Sequence, residues 1–130
     1  IKGRELECAV LGTDNPFASE VGEILSCNDF YDYDAKYILG TSGLNIPANI
    51  PKEASLEIRE TAVKAFKALG CFGLSRVDFF LADNGKVYLN ELNTMPGFTS
   101  ISMYPKLMEN LGIPYGELLD RLIKLAYERN

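Results

Sequence analysis

Apolar and polar positions along the chain change period several times, and each change marks an element. Glu5 to Leu11 carries an apolar run that closes at Gly12-Thr13-Asp14-Asn15-Pro16, a strong turn signal. Ala18 to Ser26 reads as a second strand, so the opening is expected to be a β-hairpin. Asn28 to Ile50 has no clear period. It carries Phe30-Tyr31-Asp32-Tyr33-Asp34-Ala35-Lys36-Tyr37, then Gly40, Gly43 and Pro47 with Pro51 just beyond, and reads as a long polar and aromatic loop. Loops of that length in compact domains are usually lids or binding loops. From Glu53 to Leu69 the period becomes helical, with Ile58, Ala62, Ala65, Phe66 and Leu69 on one stripe and Gly70 as the stop. Gly73 to Ala82 and Lys86 to Asn93 are strands around Asp83-Asn84-Gly85, and Thr94 to Ser100 is a loop. Met103 to Leu111 is a short helix ended by Gly112. Pro114 opens a last helix striped by Leu118, Leu119, Leu122, Ile123 and Ala126. The order predicts an α+β fold with a mostly antiparallel sheet and flanking helices.

Composition changes the picture mainly by subtraction. The 130 residues fit one domain, and 47% hydrophobic with 24% charged residues is a globular balance. No apolar run approaches the roughly 20 residues of a membrane span. The net charge of -5, without a basic run, argues against nucleic acid as a partner. There is no His, so Ser-His and Cys-His nucleophiles and His-containing zinc sites are excluded. Cys8, Cys27 and Cys71 form no CxxC pair and read as reduced, mostly buried thiols of a cytosolic protein. The absence of a starting Met and the entry straight into a strand suggest a piece of a longer protein. Carboxylates, Lys, Arg, Tyr and hydroxyls remain as the working groups.

The hairpin at Asn84-Gly85 concentrates them. Asn-Gly favours a two-residue type I′ turn, which places Asp78 opposite Glu91 and Arg76 opposite Asn93. Residues two apart share a face, so all four side chains emerge together. Two facing carboxylates in apolar strands repel unless something neutralises them. A hard divalent cation such as Mg²⁺, with carboxylate, amide and phosphate oxygens, would do so, and Arg76 would meet an anion. Alternatively, Arg76 bridges one carboxylate and the other faces solvent. A three-residue loop with Gly85 in a bulge would offset the register and send the two acids to opposite faces. Lys36 and Tyr37 could reach an anion or simply be solvated. Thr99, Ser100 and Ser102 precede a helix, where they could cap it or hold a substrate carboxylate. Glu5 could accept from a ribose or be a surface charge at a strand end.

Taken together, the Tyr-rich loop, Arg76-Val77-Asp78 and Asn90-Glu91-Leu92-Asn93-Thr94-Met95-Pro96-Gly97-Phe98-Thr99-Ser100 resemble the C-terminal part of the D-alanine–D-alanine ligases. These are ATP-grasp enzymes of peptidoglycan synthesis in the bacterial cytoplasm, and the resemblance covers essentially the whole chain. It implies that residues 1–130 are the C-terminal ATP-grasp domain, with a lid loop at about 28–50 and the N-terminal and central domains elsewhere. It implies two Mg²⁺ ions, replaceable by Mn²⁺, on Asp78, Glu91 and Asn93, with Glu91 bridging. Glu5 would hold the ribose, Phe30 and Asn90 would line the adenine slot, and Lys36 would reach phosphate. Tyr37 would close over the second substrate, whose carboxylate would meet Ser102 and the backbone of Met103. Arg76 and the Gly97 N–H would stabilise the oxyanion. The expected partners are ATP and D-alanine; homodimers are usual in the family.

The implied reaction makes an acyl phosphate of one D-alanine, which the amine of a second attacks. Ile101 stands where the family often has His, and no glycine-rich phosphate loop is present. The piece alone is therefore expected to be inactive. A D-Ala–D-Ser ligase, another ATP-grasp carboxylate–amine ligase and a non-catalytic Mg-nucleotide module are the alternatives. A D-Ala–D-Lac enzyme is disfavoured because Tyr37 stands where those carry His.

Overall fold

The computed structural model describes residues 2–25 and 43–129. Six strands form one antiparallel sheet: β1 (Gly3–Gly12), β2 (Phe17–Ala18), β3 (Gly22–Ile24), β4 (Leu44–Asn45), β5 (Gly73–Ala82) and β6 (Val87–Asn93). The order is β4-β3-β1-β5-β6, with β2 also pairing β1. The helices among the described residues are α1 (Lys52–Ala68), α2 (Met103–Asn110) and α3 (Tyr115–Tyr127). The expected strand from Ala18 to Ser26 is divided. Ser19 turns its hydroxyl to the Ala9 N–H at 2.9 Å and its own N–H to the Ala9 carbonyl at 2.8 Å, which interrupts the ladder between β2 and β3. The predicted loop at 28–50 lies outside the described residues up to position 42; its described end contains β4.

Strand alternation divides the core into two layers. The odd positions of β5 (Val77, Phe79, Leu81) and the even positions of β1 (Leu6, Cys8, Val10) face α1, whose Ile58, Ala62 and Phe66 are fully buried there. The opposite face carries Ala9, Leu11 and Leu74, covered by Tyr104, Leu107, Met108 and Leu118 of the other two helices. Tyr104 pins that cover by donating to the Val10 carbonyl at 2.9 Å, and burial raises its phenol well above the ordinary range. Cys8 is buried, and desolvation pushes its thiol up to about 12, so it stays protonated at neutral pH. Cys71 is half-buried and shifted the same way; Cys27 lies outside the described residues. Among the described residues, no helix is long and apolar enough to cross a membrane.

The β5–β6 hairpin departs from its expected turn. Asn84 does not take the positive φ that a type I′ turn demands; Gly85 alone does, at +88°. The Gly85 N–H donates to Ala82 O and the Ala82 N–H to Lys86 O, both at 2.9 Å, which makes a three-residue loop closed by a glycine bulge. The ladder then runs Leu81↔Val87, Phe80↔Tyr88, Phe79↔Leu89, one residue off the two-residue register. Between Phe79 and Asp78 it skips Asn90 and resumes as Asp78↔Glu91, Val77↔Leu92, Arg76↔Asn93. A ladder unbroken from the tip would instead put Glu91 opposite Val77, toward α1. The loop and the bulge offset one another, and the two acids stay on one face.

A Cβ at Gly85 meets nothing within 4 Å, so only backbone strain opposes a side chain there. Gly85→Ala is expected to lower stability by about 1–2 kcal/mol, and Gly85→Asn by less, as read from urea denaturation midpoints.

Candidate functional site

The sheet face beneath α2 and α3 is only half covered. Past Ala9 and Leu74 the same face presents Arg76 and Asn93, then Glu7, Asp78 and Glu91, then Glu5, Phe80 and Tyr88. Glu7 lies directly opposite Asp78 on β1, and Glu91 lies opposite it on β6. One row across three strands therefore carries three carboxylates. Such a row on adjacent strands is repulsive unless cations meet it.

Arg76 is the cation supplied by the chain. Its Nε and Nη2 donate to the two oxygens of Asp78 at 2.8 and 3.0 Å, a bidentate fork, and Nε also lies 3.3 Å from Glu7 Oε1. The three side chains are 19%, 13% and 8% exposed, so water screens them poorly. The guanidinium pKa is raised, first by its hydrogen bond to Asp78. Burial opposes that shift, and the charges of Glu7, Asp78 and Glu91 add to it. Glu91, on the edge strand β6, is exposed to solvent. The alternative reading, in which Arg76 bridges Asp78 and the other acid faces solvent, thus matches both the fork and the exposed Glu91.

The oxygen donors fit a hard divalent ion. Asp78 and Glu91 offer carboxylates on facing strands. Asn93 holds its amide oxygen in place by accepting from the Met95 N–H at 2.9 Å, which leaves a second lone pair on the same atom. Among the described residues, no three acidic or thiol side chains close around one point. An ion here would complete its shell with water or phosphate oxygens, as Mg²⁺ characteristically does.

Beside this row, Glu5, Leu6, Glu7, Asp78, Phe79, Phe80 and Asn90 line a small cleft of about 130 Å³. It brings together Glu5, Asn90 and Asp78, which the sequence reading assigned to ribose, adenine and metal. Asn90 reaches it from the bulge. Larger clefts lie elsewhere, one of them where Arg4 forks onto Glu23 at 2.7 Å, but they contain none of the anticipated residues.

The other flank is the Thr94–Ser100 loop. Phe98 wedges between Tyr104 and Tyr115, with ring centroids at 5.8 and 5.4 Å, and its carbonyl accepts from the Tyr115 hydroxyl at 2.8 Å. That anchor fixes Gly97, where a Cβ would come within 3.2 Å of Ser102 Oγ. Ser102 occupies the N-cap position of α2 but makes no side-chain cap. Its hydroxyl instead accepts from the Thr99 N–H at 3.0 Å and shares a 2.8 Å bond with Thr99 Oγ1. The capping expectation therefore fails for Ser102, because the Thr99 turn competes for its oxygen. Phe30, Lys36 and Tyr37 lie outside the described residues.

Glu7 was not among the candidates. Its signal is legible in retrospect: a lone acid inside Leu6-Glu7-Cys8-Ala9-Val10, two residues from Glu5 and so on the same face.

Comparison with known proteins places this geometry. A family model described as D-ala D-ala ligase C-terminus matches residues 1–124. The chain is 64% identical over 130 residues to a D-alanine–D-alanine ligase of Acetivibrio thermocellus, covering 99% of this chain and 35% of that protein. It therefore spans about a third of the length of the curated relatives it matches. Among solved structures it resembles the D-alanine–D-alanine ligase of Coxiella burnetii, with a TM-score of 0.83 and 43% identity over 99% of this chain and 33% of that one. It also resembles the VanG D-Ala:D-Ser ligase of Enterococcus faecalis, with a TM-score of 0.80 and 47% identity over 96% and 36%. A third likeness is to a Bacillus anthracis D-alanine–D-alanine ligase complexed with ATP, with a TM-score of 0.79 and 28% identity over 98% and 39%. The carboxylate row, the forked arginine and the Gly97–Ser102 loop are thus set in the fold of those enzymes, and the chain belongs to the D-alanine–D-alanine ligase C-terminal family.

Proposed function

We propose that this chain supplies the nucleotide, Mg²⁺ and second-substrate side of an ATP-dependent ligase that joins two D-alanines for peptidoglycan synthesis in the bacterial cytoplasm. The observation that carries the reading is the placing of Glu7, Asp78 and Glu91 in one row across three strands with Arg76 and Asn93 next to it, beside a cleft lined by Glu5 and Asn90. Family membership gives it a reaction.

In this reading Asp78, Glu91 and Asn93 hold two Mg²⁺ ions, which when bound supply charge that screens the phosphates. Glu5 orients the ribose, Phe30 and Asn90 flank the adenine, and Lys36 reaches phosphate. Arg76 and the Gly97 N–H are aimed at the charge that develops as the first D-alanine carboxylate is phosphorylated and the second amine attacks. Ser102, with the backbone of Met103, receives the second substrate's carboxylate; its oxygen accepts from the Thr99 N–H, and its proton is left for the carboxylate when Thr99 donates in their shared bond. Tyr37 and the loop around it exclude water from the acyl phosphate.

The likeness to a D-Ala:D-Ser ligase at 47% identity supports a second reading, in which D-serine is the second substrate. Both are tested in a protein of the relatives' full length by phosphate release from ATP, with D-alanine as donor and D-alanine, D-serine or D-lactate as acceptor. D-Alanine-dependent release with D-alanyl-D-alanine as product is expected. Faster turnover with D-serine would favour the second reading, and release independent of any D-amino acid would overturn both.

A further inference from the structure

We propose that Glu7 is a positioning residue, the carboxylate that keeps Arg76 on the sheet face once Asp78 turns to a cation. The inference rests on the reading of Asp78 and Glu91 as metal ligands. Without a cation, Arg76 spends two donors on the two oxygens of Asp78. A divalent ion held by Asp78 would take up at least one of those oxygens, and at such range it would repel a guanidinium. The charges acting on Arg76 come from Glu7, Asp78 and Glu91. Two of these three are the assigned ligands, so among the described residues Glu7 is the acid that can hold Arg76 without competing for the ion.

Its placement suits the task. Glu7 sits on the central strand β1, directly opposite Asp78, with a side chain only 8% exposed and Oε1 already 3.3 Å from Nε. The Nε–H is directed to Asp78, and Glu7 Oε1 lies 3.3 Å from the same nitrogen. A small swing therefore passes the guanidinium from Asp78 to Glu7 without taking it off the face. An arginine with no second acid would stay on Asp78 and compete with the ion, or leave and be lost to the reacting carboxylate.

The test is Mn²⁺ binding with ATP, read by the loss of the free-ion electron paramagnetic resonance signal in the full-length protein, together with the Mg²⁺ dependence of kcat. Glu7→Gln, nearly isosteric, is expected to weaken Mn²⁺ about tenfold, the scale of losses around metal ligands. It should also raise the Mg²⁺ concentration that half-saturates turnover, while Glu7→Asp recovers part of both effects. The decisive arm is the Arg76→Met background, in which Glu7→Gln should change Mn²⁺ affinity less than twofold, because Glu7 acts through Arg76. Equal weakening in both backgrounds would overturn the proposal in favour of a direct field effect. Altered thermal stability with unchanged Mn²⁺ affinity would overturn it in favour of a packing role. Asp78→Asn separates the premise: if that variant binds Mn²⁺ like wild type, the metal reading itself fails and takes the proposal with it. Weakening in Asp78→Asn but not in Glu7→Gln leaves the metal reading standing and removes only Glu7.

Discussion

Arg76→Met, made in a protein of the relatives' full length, is expected to lower kcat by about 10²–10³-fold and to change the KM for ATP by much less. The size is that of removing one preorganised donor from a site where charge develops. The split follows because such a donor meets the reacting carboxylate more strongly in the transition state than in the ground state. Methionine keeps much of the side-chain volume but leaves Glu7, Asp78 and Glu91 on one face without their guanidinium, so some stability is lost as well. Arg76→Lys separates the two effects. It restores a charge near Asp78 but not the bidentate fork, so it should recover stability better than turnover. Stopped-flow or steady-state phosphate release reads the first effect and urea denaturation the second. Wild-type kcat in Arg76→Met would remove the arginine from the chemistry.

The largest loss of stability is expected at Phe66, far from that chemistry. Its ring is fully buried where α1 crosses the sheet, in the layer with Val10, Val77 and Phe79. Phe66→Ala removes that contact area and leaves a cavity that two rigid layers cannot collapse into, at a cost of about 3–5 kcal/mol. Phe66→Leu should cost markedly less, because it refills most of the volume. Denaturation midpoints distinguish the two. Similar losses for Ala and Leu would mean that the ring's shape matters more than its volume.

The helices and the β5–β6 hairpin were legible from period alone, because they are local objects; in α1, α2 and β5 the apolar stripe also matches the buried positions. Leu69 at the end of α1 and Leu119, Ile123 and Ala126 of α3 are exceptions: their stripe positions suggested core, yet all four are exposed. The pairing of Asp78 with Glu91 was legible for a reason that was only partly sound. Asn84-Gly85 did announce a hairpin, but the tighter turn was not the one formed, and the bulge at Asn90 leaves no mark that a turn rule can detect. Glu7 was missed because its partner strand lies far along the chain. That β1 pairs β5, bringing Glu7 beside Asp78, is a property of the sheet order and of no local pattern. Ser102 looked like a cap because the rule sees its position and cannot see Thr99 competing for its oxygen.

The skipped residue at Asn90 bears on how such a hairpin can drift over evolutionary time. Asp78 and Glu91 share a face by parity, and a single insertion or deletion between them would ordinarily turn one of them over. This hairpin has slack at two points, the three-residue loop and the unpaired Asn90. Dropping Asn90 would simply regularise the ladder with Glu91 still facing Asp78, and a residue gained or lost at the loop never enters the pairing count. Length can therefore vary at the tip and at the bulge across a lineage while the acids stay in phase.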